Sequence, residues 1–160
     1  GRMKTALYVA TVARTYRKAI DDYLKSPELY RENMEWYKSE IGKCTYREFT
    51  TGFYFHKPDA MTQIYDSNTY VKNYTYLGTV EAVREDGLVR IEQKNKFSVG
   101  ETVEIMKPDG RNLEKEVAAI CDEEGNPVES APHPKQVLYV DLGADAECGD
   151  IIRRSEMEAD

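Results

Sequence analysis

The sequence predicts an α+β chain in which N-terminal helices are followed by a small Greek-key β-barrel. Over Met3–Leu24 apolar residues recur at spacings of three and four, the signature of one helical face. After Asn73 the pattern changes to short alternating runs separated by turn signals, the signature of strands. Between the two, from Cys44 to Lys72, regular periodicity is lost. The expected organisation is therefore a helical segment over residues 1–43, an aromatic connector over 44–72 and a barrel over 73–155.

Val9, Ala13, Tyr16, Ile20 and Tyr23 share the apolar face of the first helix, with Arg14, Arg17, Lys18 and Asp21 on the solvent side. Ser26-Pro27 signals a stop and a restart, because serine caps helices and proline suits a first helical position. A second short helix is expected from Asn33 as cap through Trp36 and Tyr37 to Ile41, with Gly42 as its stop. A helix of this kind cannot bury its apolar stripe alone. The connector residues 45–56 are crowded with aromatic and β-branched side chains and suit an extended segment lying between two parts.

Strands are expected at Tyr74–Val83, Leu88–Gln93, Glu101–Met106, Leu113–Ile120, Gln136–Leu142 and Ile151–Arg154. Glu85-Asp86-Gly87 and Pro108-Asp109-Gly110 supply turns, and a Gly/Pro-rich loop runs from Gly125 to Pro134. Alternation places Val80, Val89, Ile91, Val103, Ile105, Val117, Leu138, Val140 and Ile151 inside. Short strands at this spacing favour closure over an open sheet. The strand entries Gly100-Glu101 and Gly149-Asp150 echo each other, and they are similar to those in the second-domain barrels of translation GTPases.

The net charge of −7 is unevenly spread. Residues 1–56 hold ten Lys/Arg against seven Asp/Glu, a balance of +3; residues 57–160 hold twelve against twenty-two, a balance of −10. An acidic second half repels phosphate backbones unless its bases cluster. No apolar run reaches the roughly 18 residues of a membrane span, and no export signal is evident near the start. Cys44, Cys121 and Cys148 are far apart, form no CxxC pair and lie near neither histidine. Reduced thiols in a cytoplasmic protein are the expectation, with no structural zinc and no cofactor in this chain.

Gly1-Arg2-Met3-Lys4 and Tyr8-Val9-Ala10-Thr11-Val12, the connector stretch Arg47 to Phe55, Tyr76-Leu77-Gly78, Asn95 to Gly100, and Gly125-Asn126-Pro127 through Ala131-Pro132-His133-Pro134 together resemble the C-terminal region of the collagenase-like peptidases of unassigned catalytic type. The resemblance covers nearly the whole chain in order. It implies an upstream α/β barrel as a partner, and relatives described as proteases. It also implies relatives that carry out prephenate-dependent hydroxylation of transfer RNA or quinones, with an iron–sulfur cluster whose cysteines lie upstream. None of the three cysteines matches that cluster pattern.

No nucleophile has a base and an orienting group nearby, so no catalytic residue is assigned. The adjacent acids Asp21-Asp22 and Glu123-Glu124 read as solvated. Three binding candidates remain. His133 is stiffened by prolines on both sides. Arg47 lies beside the aromatic run Phe49, Phe53, Tyr54 and Phe55, which has the faces to stack bases but reads first as a docking segment. Arg2, if it ends a barrel strand as the resemblance implies, would lie where barrel enzymes build anion pockets.

The function expected is an accessory, non-catalytic domain of a collagenase-like peptidase, positioning substrate or partner. The alternative is an RNA-handling domain of a tRNA-hydroxylating enzyme, and a stand-alone hydrolase is the third reading. For the isolated chain, two copies covering each other's helical stripes form the expected homodimer. The connector folding back over the stripe is the alternative.

Overall fold

The computed structural model describes residues 3–46, 52, 54–55, 57, 71–133, 135–143 and 145–156. Helix α1 spans Ala6–Lys25, and its Thr5 cap accepts a hydrogen bond from Tyr8 N at 3.3 Å. Ser26 is extended and ends α1; its hydroxyl accepts from Leu29 N at 3.0 Å and opens α2, Pro27–Glu32. The stop and restart read from Ser26-Pro27 is thus one residue acting at two helix ends. Helix α3 spans Met34–Ile41 and ends at Gly42. Asn33 sits at its cap position without a capping bond, because its amide is turned toward Asp22 Oδ2, 2.9 Å away.

The β part holds β1 (Tyr74–Val83), β2 (Val89–Gln93), β3 (Phe97–Ser98), β4 (Thr102–Met106), β5 (Asn112–Glu116), β6 (Ala119–Cys121), β7 (Ser130–Ala131), β8 (Val137–Asp141) and β9 (Ile151–Ser155). Seven of them form a curled antiparallel sheet in the order β5-β4-β9-β1-β2-β8-β6, and β3 pairs separately with β7. Five of the six strands expected from the sequence are present, whereas Leu113–Ile120 is two strands, β5 and β6. It breaks at Val117-Ala118, where the chain leaves β4 and joins β8. Val117 N donates to Glu101 O at 2.9 Å, and Ala118 N donates to Asp141 O at 3.1 Å. The two edges of the sheet are therefore consecutive pieces of chain. The break is the corner that curling requires.

All nine residues expected inside are buried. Eight join Leu77, Phe97, Ile120, Leu142 and Ile152 in the sheet's interior. Ile151 falls in a second cluster with Leu7, Tyr76 and Met106. Successive residues of β9 face opposite ways, so Ile152 fills the interior while Ile151 lies under α1. A bulge between β1 and β9 at Tyr76/Gly78 adjusts the register. A Cβ at Gly78 would fall 2.5 Å from Ile91 Cγ2 and 2.7 Å from Glu92 O, closer than any side chain tolerates. Gly110, at φ 98°, turns β4 into β5 directly beneath the helices: a Cβ there would meet Lys18 Cδ at 2.8 Å.

The helix is seated opposite to the simplest reading of its pattern. Leu7, Thr11, Arg14, Thr15 and Asp22 of α1 are buried, whereas Val9, Ala13, Tyr16, Ile20, Tyr23 and Leu24 are exposed. The expectation that Arg14 faces solvent is thereby corrected, and so is the reading of Asp22 as a solvated acid. Asp22 finds three donors inside that offset the loss of water, and Arg14 is held through its terminal nitrogens while its buried Nε has no hydrogen-bond partner.

Candidate functional site

The densest chemistry in the described residues lies where α1 and α3 meet β4, β5 and β9. Helix α3 carries Glu40, 1% exposed, into this seam. Its Oε1 accepts from Arg14 Nη2 and, at 2.6 Å, from Arg153 Nη2; its Oε2 accepts from Asn112 Nδ2 at 2.8 Å. Arg153 also pairs through Nε with Glu104, and Lys43 Nζ lies 3.0 Å from the other oxygen of Glu104. Arg14 Nη1 donates to Lys107 O at 2.8 Å and to Asn112 Oδ1 at 3.0 Å. The Tyr74 ring lies against both the Arg153 guanidinium and the Lys43 ammonium, at 5.1 and 5.3 Å from its centroid.

Burial by itself pushes Glu40 upward, but the flanking Arg153 and Arg14 guanidiniums outweigh it and hold the carboxyl below its ordinary range. Arg14 moves down, because burial outweighs the stabilising Glu40 charge. A second centre pins α1 to α2 and α3. Asp22 Oδ2 accepts from Tyr37 Oη at 2.7 Å, Lys18 Nζ at 2.8 Å and Asn33 Nδ2 at 2.9 Å. Burial opposes the charge on Asp22, yet these three donors keep its carboxyl low; burial and then Asp22 push the Tyr37 phenol up to about 12. A third joins Lys107 to Asp150 at 2.7 Å and Glu147 at 3.1 Å. These groups are matched to one another, an arrangement that fixes geometry and offers no reactive pair. Among the described residues, no group of three or more His, Cys, Asp or Glu is placed to share a metal ion.

Of the candidates read from sequence, Arg2 and Arg47 lie outside the described residues, as does His56. His133 is exposed in the β7–β8 loop, where its carbonyl accepts from Gln136 N at 3.2 Å. The seam residues Arg14, Glu40 and Arg153 were missed, although one signal was present: alternation in β9 puts Arg153 on the same face as Ile151. Cys44, Cys121 and Cys148 are free thiols. No helix among the described residues is long and apolar enough to cross a membrane.

The outer face of α1 is the other notable surface. Val9, Tyr16, Ile20 and Tyr23 are each about half exposed and Leu24 is 75% exposed. Tyr16 also borders a cavity of about 210 Å³ lined by Tyr30, Met34, Tyr37 and Ile41.

The family model for the peptidase family U32 C-terminal domain matches residues 72–153, the whole curled sheet up to β9. The chain belongs to peptidase family U32. The model for peptidase family U32 itself matches residues 1–64 of this U32 chain, which include α1, α2 and α3. Among curated relatives, the tRNA hydroxylation protein P1 of Bacillus subtilis is 36% identical over 89% of the chain and 34% of its own length. The tRNA hydroxylation protein P of Escherichia coli is 28% identical over 92% of the chain and 32% of its own length. The U32 chain thus spans about a third of the relatives it matches. A crystal structure of the C-terminal domain of a Geobacillus thermoleovorans protein assigned to the U32 peptidases covers 50% of the chain and 99% of its own, at 26% identity and a TM-score of 0.47.

Proposed function

We propose that this chain is the accessory, non-catalytic part of a U32 protein that hydroxylates tRNA, and that it holds its partner barrel through the outer face of α1. The observation that carries the reading is the seating of α1. Its polar side is fixed to the sheet through Arg14, Glu40 and Arg153, while its apolar stripe faces outward. A helix that buries charge and exposes Val9, Tyr16, Ile20 and Tyr23 is built to join two bodies. The names of the Bacillus subtilis and Escherichia coli relatives favour tRNA hydroxylation over the peptidase reading as the parent activity, and this activity supports a cytoplasmic setting. The strand order, in which β9 inserts between β4 and β1, supports the Greek-key comparison with the second domains of translation GTPases.

A graft tests the assignment. In the Bacillus subtilis relative, the aligned segment is replaced by this chain. Restored hydroxylation of tRNA in a strain lacking the relative is the expected result. A folded, expressed chimera with no activity would count against it. The purified chain alone is expected to hydrolyse neither casein nor collagen; proteolysis abolished by one point substitution within it would overturn the non-catalytic reading.

The stripe has its own test. Without its partner barrel the chain is expected to self-associate, because the apolar face is then covered by a second copy. Sedimentation equilibrium at high micromolar concentration should show a dimer, and Ile20→Glu should return it to monomer with an unchanged β-sheet signal. A clean monomer for the parent chain rules the dimer out.

A further inference from the structure

Between Tyr74 and Glu156, eight of the ten described Lys and Arg residues are paired with a carboxylate. The two that are not, Lys96 and Lys135, lie at the same end of the sheet. Lys96 precedes Phe97, which pairs with Ala131 of β7. Lys135 N donates to Gln93 O at 2.9 Å, and the Gln93 amide in turn donates to Asn95 O and Ala131 O. The topology thus gathers Lys96, His133 and Lys135 around one buried glutamine, and all three are exposed. In a second half (residues 57–160) with a balance of −10, two cations without a carboxylate at the same end of the sheet stand out.

Two further features set this end apart. Lys135 has φ 66°, the one non-glycine residue in the left-handed region among those described, a conformation that costs energy and concentrates at ligand-contacting loops. Gln93 and Gln136 each bury an amide oxygen with no donor, although buried acceptors are nearly always satisfied. The nearby carboxylates Glu92, Glu101 and Glu156 are already held by Lys94 and Arg154; Glu129, at the far end of β7, has no cation of its own.

We infer that this end of the sheet, formed by Lys96, His133 and Lys135, is a contact surface for the sugar–phosphate backbone of RNA. The inference rests on the tRNA reading above and names the part of the chain that touches the substrate. Ammonium groups meet phosphates.

The test measures binding of labelled tRNA to the purified chain at low and rising salt. Lys96→Glu combined with Lys135→Glu is expected to weaken binding at least tenfold. It should also lower the slope of log affinity against log salt by about 1 to 2, since each lost phosphate contact contributes somewhat under one. Arg84→Glu with Arg90→Glu makes the same change in net charge elsewhere and should shift affinity less than threefold. If the glutamate pair does not fold by its thermal melt, Lys96→Ala with Lys135→Ala replaces it, with a loss of at least threefold expected. Equal loss in both pairs overturns the surface, as does no loss in the lysine pair. Competition by polyglutamate as effective as by unlabelled tRNA overturns RNA as the ligand. A graft that restores hydroxylation while the lysine pair binds tRNA normally overturns this surface and leaves the accessory role standing; a graft that fails while the lysine pair loses binding does the reverse.

Discussion

Replacing Glu40 by alanine is expected to destabilise the chain by about 3–5 kcal/mol, the usual cost of removing one partner from a buried ion pair. Glu40 is 1% exposed and accepts from Arg14, Arg153 and Asn112. Its loss leaves Arg14 buried with no carboxylate, whereas Arg153 keeps Glu104. The damage should therefore concentrate on the docking of α1 and α3. Urea unfolding followed by both tryptophan fluorescence and sheet circular dichroism measures it, because Trp36 lies on α3 with the Arg14 guanidinium over its ring at 5.7 Å. A midpoint within error of the parent would mean that water satisfies the arginines and that the seam contributes little. Changing Glu40 and Arg14 together to leucine and methionine should cost less than Glu40→Ala alone, since the stranded charge is removed as well. The seam also sets an acid limit. Glu40 and Asp22 are both held below their ordinary values in the folded chain. Their contribution is complete above the ordinary carboxylate range and is lost as pH falls through their lowered values. The Glu40→Ala chain should lose less stability over that window than the parent.

Ile105→Ala is expected to cost about 2–5 kcal/mol through lost burial and the cavity left behind. Ile105 is fully buried in the sheet interior, paired in register with Leu113 of β5 and Ile152 of β9. Its site is closed on both sides by strands whose hydrogen bonds resist collapse. This change should lower the unfolding midpoint for fluorescence and circular dichroism equally, unlike the change at Glu40. A loss under about 1 kcal/mol would place Ile105 at a site free to repack.

Much of the fold was legible because a strand has only two faces. Once Val103, Ile105, Leu138 and Val140 alternate with polar neighbours, every second residue is assigned, and eight of the nine expected positions lie in the sheet interior, whereas Ile151 is buried on the opposite face, under α1. Ser26-Pro27 was equally readable, since capping and ring geometry act within one turn. The corner at Val117-Ala118 was not. Nothing local distinguishes a strand that passes straight from one that changes partners, and its hydrogen bonds go to Glu101 and Asp141, distant in sequence.

The sequence by itself determined that α1 is amphipathic, that the second half is β and acidic, and that Lys96, His133 and Lys135 exist as bases within it. Only the tertiary structure decided which side of α1 turns inward. Apolar periodicity names a stripe to be covered but does not say by what; here the polar side is buried, because Glu40 and Arg153 come from 26 residues and more away to meet Arg14 and one another. The same holds for the candidate contact surface. A charge's neighbours in space, and hence whether it is matched, depend on strand pairing: eight cations found carboxylates, and the pairing of β3 with β7 left Lys96 and Lys135 together without one.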